Sequence, residues 1–121
     1  MNITVNEQPQ CFYLAFDKWQ EAFGHEIRVG KYSFCATPME NVINVTEVTS
    51  GARIYEIPVD FNTHLLTQTK EEAIQYFYTI GETLKRIIEN KGNLDEELEM
   101  LKQIAFDRLG KMPEIVDVDI K

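Results

Sequence analysis

The sequence predicts an α+β domain in which a mainly antiparallel β-sheet precedes an antiparallel pair of helices. Residues 26–59 alternate polar and apolar side chains in short segments separated by turn residues, a pattern typical of β-hairpins. Residues 69–110 instead carry apolar side chains at helical spacing, behind two N-capping signatures. A chain of 121 residues, 44% of them hydrophobic, has the size and composition of one globular domain, which we assign to residues 1–121.

The N-terminal region allows two interpretations after a short strand at residues 2–5. Four aromatic residues recur at steps of four, three and four between Pro9 and Gly24, which places them on one face of a helix: Phe12, Phe16, Trp19 and Phe23. The competing interpretation makes residues 11–16 a strand, because that segment is also rich in β-forming side chains. We favour the helix over residues 11–23.

Two hairpins are predicted after this region. Their strands are assigned, in order, to residues 26–29, 32–36, 42–48 and 53–59. The turn of the first hairpin contains Gly30 and that of the second contains Gly51, and glycine is the residue that such turns favour. In the last strand, Ile54 and either Ile57 or Val59 should reach the core.

Two capped helices follow. Thr69 and Glu72 form a capping box, behind which an apolar stripe runs for about five turns. Its members are Ala73, Phe77, Ile80, Leu84, Ile87 and Ile88. Asn93 and Glu96 repeat the signature, and the second stripe consists of Leu94, Leu98, Leu101, Ala105 and Leu109. A short connection at Gly92 predicts an antiparallel pair.

The C-terminal tail, residues 115–120, alternates apolar and acidic side chains. This pattern predicts a final strand, either on an edge of the same sheet or crossing to a partner subunit. The whole pattern predicts four to six strands with the helices packed on one face.

The composition restricts the classes of function. Twelve basic residues against twenty acidic ones give a net charge of -8, so duplex nucleic acid would be repelled. The N-terminus does not resemble a signal peptide, and no apolar stretch reaches the length of a membrane span. We therefore expect a cytoplasmic protein, with Cys11 and Cys35 reduced and buried.

No motif for catalysis or metal binding is recognisable. The cysteines and histidines lack the close spacing of zinc ligands, and the sequence contains no nucleophile elbow or phosphate-binding glycine loop. His64 falls in a predicted loop, where an exposed histidine is common. The sequence therefore predicts a protein that is not an enzyme and needs no cofactor or metal.

The arginines are the first candidates for ligand binding. Arg28 and Arg53 fall on predicted strands, and Arg108 follows Asp107 at a helix end. Guanidinium groups placed in this way could hold a phosphate in bidentate fashion, although solvated surface arginine is the commoner case.

The long helix contains residues that a single core stripe does not explain. Tyr76, Phe77 and Tyr78 point in directions about 100° apart, so one tyrosine could stack on a ligand or a partner chain instead of entering the core. Gly81 costs about 1 kcal/mol relative to alanine inside a helix, which indicates close packing or a ligand against the helix. We favour close packing.

Three segments, VTSGARI at residues 48–54, YTIG at 78–81 and FDRLG at 106–110, together with the order of sheet and helices, resemble small proteins of phages that infect Gram-positive hosts. The family that the chain resembles is Thoeris anti-defence 1. The resemblance implies a non-catalytic protein that sequesters a cyclic ADP-ribose isomer or cyclic nucleotide immune signal in the host cytoplasm. It also implies a homo-oligomer with binding pockets where subunits meet.

Such a pocket requires an aromatic ring for the base, arginines for the phosphates, and amide or acid groups for the ribose hydroxyls. The residues that could supply these groups are Arg53, Tyr76, Tyr78, Asn90, Asn93, Asp107 and Arg108.

An alternative is an acidic protein inhibitor, of the anti-CRISPR or immunity-protein kind, that covers a basic site on a bacterial defence protein.

Overall fold

A computed structural model describes residues 1–118 and has the predicted α+β architecture. Its strands are β1 (Ile3–Val5), β2 (Gln10–Ala15), β3 (Trp19–Val29), β4 (Tyr32–Pro38), β5 (Val42–Glu47), β6 (Arg53–Pro58) and β7 (Val116–Asp117). Its helices are α1 (Phe61–Leu65), α2 (Lys70–Asn90) and α3 (Leu94–Leu109). All strand pairs are antiparallel, in the order β6-β5-β4-β3-β2-β7, and β1 pairs with β3.

The helix predicted for residues 11–23 is wrong, and the competing strand interpretation is right. The segment forms a hairpin of β2 and the first half of β3, in which Cys11 faces Phe23 and Ala15 faces Trp19. A step of four residues is even, so it places side chains on one face of a strand as well as of a helix. The aromatic side chains differ in burial instead of sharing one buried face: Phe12 is 2% exposed, whereas Phe23 is 57% exposed.

The two predicted hairpins are confirmed as β3–β4 and β5–β6. In β6, Ile54 and Ile57 pack against the core, whereas Val59 lies beyond the strand and is exposed. The segment that follows contains the short helix α1, which the sequence did not predict. The Asp60 side chain caps it by accepting a hydrogen bond from the Thr63 amide, and the exposed His64 lies on α1 instead of in a loop.

Helix α2 supplies one side of the core. Thr69 caps it as predicted, because its side chain accepts a hydrogen bond from the amide of Glu72. The stripe packs on apolar side chains of β3, β4 and β5, and the principal members of this cluster are Ile27, Val29, Phe34, Val45, Phe77, Ile80 and Leu84. A Cβ on Gly81 would lie 2.5 Å from Cγ2 of Ile3, so close packing explains this glycine.

Helices α2 and α3 run in opposite directions across β3. Along α2, Phe77 packs near His25, and Gly81 lies near Ile27, so α2 follows the direction of β3. Helix α3 begins near Lys31, at the far end of β3, and ends where the Trp19 indole donates to the carbonyl of Gly110. The predicted antiparallel helix pair is therefore confirmed.

The sheet curls because β3 changes partners along its length. Its first half pairs with β2 and its second half with β4, and Gly24 lies at the change. A Cβ on Gly24 would lie 2.0 Å from the carbonyl oxygen of Ala36, so only glycine fits. The curl brings β2 back to the β5–β6 turn, where the amide of Ala15 donates to the carbonyl of Gly51.

The tail forms the short strand β7, which pairs with β2 of the same chain at Cys11 and Val116. The Gln10 side chain donates to the Asp117 carboxylate and fixes this register. The remainder of the predicted final strand, at Asp119 and Ile120, lies outside the described residues.

Candidate functional site

A cleft of about 430 Å³ lies between the β3–β4 turn, the β5–β6 turn and the first two turns of α3. It is lined by Arg28, Lys31, Tyr32, Ser33, Glu47, Thr49, Asp95, Leu98 and Glu99. Its size is within the range of small-molecule sites. The β3–β4 turn and helix α3 are more than sixty residues apart in the sequence. Only the tertiary fold therefore creates the cleft.

One rim of the cleft is a three-residue cluster that joins the β3–β4 turn to α3. The Asp95 carboxylate accepts hydrogen bonds from Lys31 Nζ at 2.7 Å and from the Tyr32 hydroxyl at 2.6 Å. The bond from Lys31 lowers the pKa of Asp95, and the bonds to Asp95 raise the pKa of Lys31 and of Tyr32. All three groups are therefore held in their neutral-pH protonation states, with Lys31 charged and Asp95 ionised.

The floor of the cleft carries a second polar group. Arg28 is a solvent-facing side chain on β3, and its guanidinium lies 3.2 Å from the Glu26 carboxylate. The Ser33 hydroxyl donates to the same carboxylate. Since a guanidinium has five N–H donors and this pair uses one end of it, Arg28 keeps donors that can point into the cleft.

The third wall is fixed by Glu47, which is only 3% exposed. Its carboxylate accepts hydrogen bonds from the amides of Thr49 and Ser50 and from the Thr49 hydroxyl, at 2.9 to 3.0 Å. A buried carboxylate satisfied in this way holds the β5–β6 turn in place. Glu47 thus shapes the cleft by positioning Thr49 in its wall.

The cleft presents both kinds of charge. Two cations, Arg28 and Lys31, face it together with the carboxylates of Glu47, Asp95 and Glu99. A ligand with negative charge alone would meet these carboxylates and be disfavoured. A ligand that combines an anionic group with hydroxyl or amino donors matches both halves of the lining.

The seven residues selected from the sequence do not line this cleft. Arg53 begins β6, is solvent-exposed, and pairs with Glu56 at 3.2 Å. Tyr76 packs partly against the core beside Tyr55, whose pKa is raised to about 12 by burial and by Tyr76, whereas Tyr78 is 37% exposed. Tyr76 also lines a separate, mostly apolar cavity of about 370 Å³.

The other four lie at the end of α2 and at the two ends of α3. Asn90 and Asn93 are exposed at the connection between the helices. Asp107 accepts a hydrogen bond from Gln103, and Arg108 donates to the carbonyl of Phe16. Because fourteen residues of helix span about 21 Å, Asn93 and Asp107 are too far apart for one small ligand to contact both within this chain. Whether these residues bind a ligand stays a prediction.

Sequence reasoning missed Lys31, Tyr32 and Asp95. In the sequence, Lys31 lies between the two predicted strands of a hairpin, and Asp95 follows a predicted N-cap, where capping and the helix dipole explain an acid without a ligand. Of the cleft residues, Arg28 is the one that the sequence marks as a candidate for ligand binding, as an arginine on a predicted strand. The available signal was a cation and an aromatic residue side by side, Lys31 in a hairpin turn and Tyr32 at the start of the strand that follows.

Comparisons with known proteins add no relative: no family model, curated protein or solved structure matches the chain. The resemblance to Thoeris anti-defence 1 therefore stays a prediction. Among residues 1–118, helices of membrane-spanning length and hydropathy are absent.

Proposed function

We propose that this protein captures a small nucleotide-derived ligand in the cleft between the β3–β4 turn and α3, and releases it unchanged. The observation that carries the proposal is the convergence of Arg28, Lys31 and Tyr32 with the carboxylates of Asp95 and Glu99 around one cavity of about 430 Å³. These are the residue types that phosphate, base and ribose require, supplied by positions other than those selected from the sequence.

Each part of such a ligand has a partner in the cleft. Arg28 and Lys31 supply charge-assisted donors for a phosphate. The carboxylates of Asp95 and Glu99 can accept hydrogen bonds from ribose hydroxyls or an exocyclic amine. Leu98 and the Tyr32 ring offer apolar surface to a base, although Lys31 Nζ lies 5.3 Å from the centre of that ring and must shift for stacking on that face.

The ligand class that we propose is a cyclic ADP-ribose-like or cyclic nucleotide immune signal, as the family resemblance implies. The protein would then act as a non-catalytic anti-defence protein in the cytoplasm of a bacterial host. Binding without turnover agrees with a cleft whose one deeply buried carboxylate, Glu47, already accepts hydrogen bonds from Thr49 and Ser50 and holds the β5–β6 turn.

Calorimetry tests the proposal with a panel of cyclic nucleotides, ADP-ribose and its cyclic isomers. Wild-type protein should bind at least one of them, and chromatography should recover that compound intact. Arg28→Met and Lys31→Met should each weaken binding on the order of tenfold or more, because a phosphate loses a charged donor.

Arg53→Met is the matched control, since Arg53 is an equally exposed arginine on the far edge of the sheet. It should bind like wild type. No heat across the panel would remove the proposal, and a conversion product in the recovered ligand would remove its non-catalytic part. Loss of binding in Arg53→Met alone would return the site to the residues predicted from the sequence.

A second candidate is an acidic protein inhibitor, favoured by the exposed carboxylates in the first two turns of α3, at Asp95, Glu96 and Glu99. It predicts a complex with a basic bacterial protein that weakens as salt rises and ignores nucleotides. A Glu96→Gln and Glu99→Gln double variant should slow association with that protein. Association at the wild-type rate, independent of salt, would count against this candidate.

A further inference from the structure

Helix α3 carries an apolar surface in addition to the side that it buries. Leu94, Leu98 and Ala105 are its buried residues. Met100, Leu101 and Ile104 are 63%, 39% and 46% exposed. Residues three and four apart are neighbours on a helix, so Ile104 adjoins both Met100 and Leu101, and the three form one patch, here called the outer stripe.

We propose that the outer stripe docks a second copy of this chain, with the two α3 helices antiparallel about a two-fold axis between Leu101 and Ile104. This inference goes beyond the cleft and does not depend on it. In such an isologous contact each residue meets the residue equally far from the centre on the other copy, so Leu101 packs on Ile104 of the second copy and Ile104 on its Leu101.

The charges that flank the outer stripe favour this occupant. Glu97 precedes Leu101 by four residues, and Arg108 follows Ile104 by four, so both lie on the face of the stripe, one at each end. The two-fold axis that pairs Leu101 with Ile104 therefore also places Glu97 beside Arg108 of the other copy. By symmetry, two such ion pairs form, one at each end of the contact. An apolar centre with opposite charges at its two ends is complementary to itself in the antiparallel orientation.

Both flanking groups can make this contact. Arg108 donates one N–H to the carbonyl of Phe16, in the β2–β3 turn, at 2.9 Å, and its other N–H groups are left as donors for a carboxylate. Glu97 accepts from Lys91 at 2.9 Å and keeps 40% of its side chain exposed. A carboxylate has two oxygens, so it can accept from Arg108 of the second copy as well.

The contact should be weak. A single pair of four-turn helices buries less than the roughly 1,200 Å² at which stable interfaces begin, and the net charge of -8 on each chain opposes association. We expect a reversible monomer–dimer equilibrium with a dissociation constant in the micromolar range.

Sedimentation equilibrium over a hundredfold range of concentration tests the proposal, at about 0.15 M salt, where the charge repulsion is screened. Wild-type protein should shift from monomer to dimer as concentration rises. Ile104→Asp should remain monomeric, because it places a charge at the centre of the apolar contact. Far-ultraviolet circular dichroism of each variant checks that it has folded, which is expected since all substituted side chains are at least partly exposed.

Charge reversal separates this arrangement from any other self-association. Glu97→Arg and Arg108→Glu should each weaken the dimer on the order of tenfold, because like charges then meet at both ends. Combining the two restores opposite charges and should recover most of the wild-type affinity. Glu89→Arg, on the exposed side of α2, is the matched control and should dimerise like wild type, apart from the change in net charge.

Three results would each overturn the proposal. These are a wild-type protein that stays monomeric at the highest concentration, a dimer that survives Ile104→Asp, and a double reversal that associates no better than the single ones. None of them bears on ligand capture in the cleft, since Arg28 and Lys31 lie outside the outer stripe.

Discussion

Helices α2 and α3 look alike in the sequence but are used differently in the fold. Both begin at a capping residue and carry an apolar stripe, yet α2 buries its stripe against the sheet through Phe77, Ile80 and Leu84. Helix α3 buries Leu94, Leu98 and Ala105 of its stripe, but its Leu101 is 39% exposed and adjoins the other exposed side chains of the outer stripe. An apolar stripe thus predicts that a helix has a face to cover, and only the fold shows whether its own chain covers it.

The largest expected difference between the helices is the effect of deleting a leucine side chain. Leu84, on α2, is fully buried, so Leu84→Ala should lower the free energy of unfolding by about 2–5 kcal/mol through lost burial and a cavity. Leu101→Ala, on α3, is the matched variant and should cost less than about 1 kcal/mol because Leu101 is already 39% exposed. Urea unfolding at low protein concentration measures both. Equal losses would contradict the contrast between the helices.

The next largest difference is expected between the N-cap residues of the two helices, Thr69 and Asn93, in their contribution to stability. Thr69 Oγ1 accepts from the amide of Glu72 at 3.1 Å, so Thr69→Ala should lower the free energy of unfolding by about 1 kcal/mol. Asn93 occupies the same position before α3, but within the described chain its side chain makes no capping hydrogen bond. Asn93→Ala should therefore cost only a few tenths of a kcal/mol. Thermal unfolding measures both variants. If Asn93→Ala lost more stability than Thr69→Ala, Asn93 and not Thr69 would be the stronger N-cap, contrary to this prediction.

Two glycines give a third comparison. Gly81→Ala gains up to about 1 kcal/mol of helix propensity but forces a Cβ to within 2.5 Å of Ile3, a clash typical of overpacked cores that cost about 1–3 kcal/mol. The net result should be a loss of about 1 kcal/mol in chemical unfolding. Gly92, between the helices, has open space around it, so Gly92→Ala should be neutral or slightly stabilising. A stabilised Gly81→Ala would mean that β1 can move away from α2.

The smallest effect concerns pH at the start of α3. The pKa of Asp95 is lowered by Lys31, so its contribution to stability is present above its ordinary pKa of 3.8 and is lost as pH falls through the lowered value. The raised pKa values of Lys31 and Tyr32 mean that their contributions are lost only as pH rises through values above 10.5 and 10.0.

Asp95→Asn should therefore be less stable than wild type between about pH 4 and pH 10 and should match it in strong acid. Urea midpoints at several pH values measure the difference. Glu96→Gln controls for removal of one acid from the same helical turn. A deficit of Asp95→Asn that persists in strong acid would show that ionisation of Asp95 is not its source.

Sequence reasoning succeeded where local signals were sufficient. The step of 3.6 residues in α2 and the glycine-containing turn between β3 and β4 are properties of neighbouring residues, so they predicted these elements correctly. It failed for residues 11–23 because a step of four, as between Trp19 and Phe23 in β3, places two side chains on one face of a strand as well as of a helix. The decisive contact of Phe23, its pairing with Cys11, is made across the hairpin.

The sequence by itself determined the class of fold, the hairpins β3–β4 and β5–β6, the antiparallel helix pair and the acidic composition, because these follow from local periodicity, capping and composition. Only the tertiary structure decided that β3 changes partners at Gly24 and that Lys31 meets Asp95. The same holds for the outer stripe of α3, which the chain itself leaves uncovered. These features depend on contacts between distant residues, and no local pattern specifies which distant surfaces will meet.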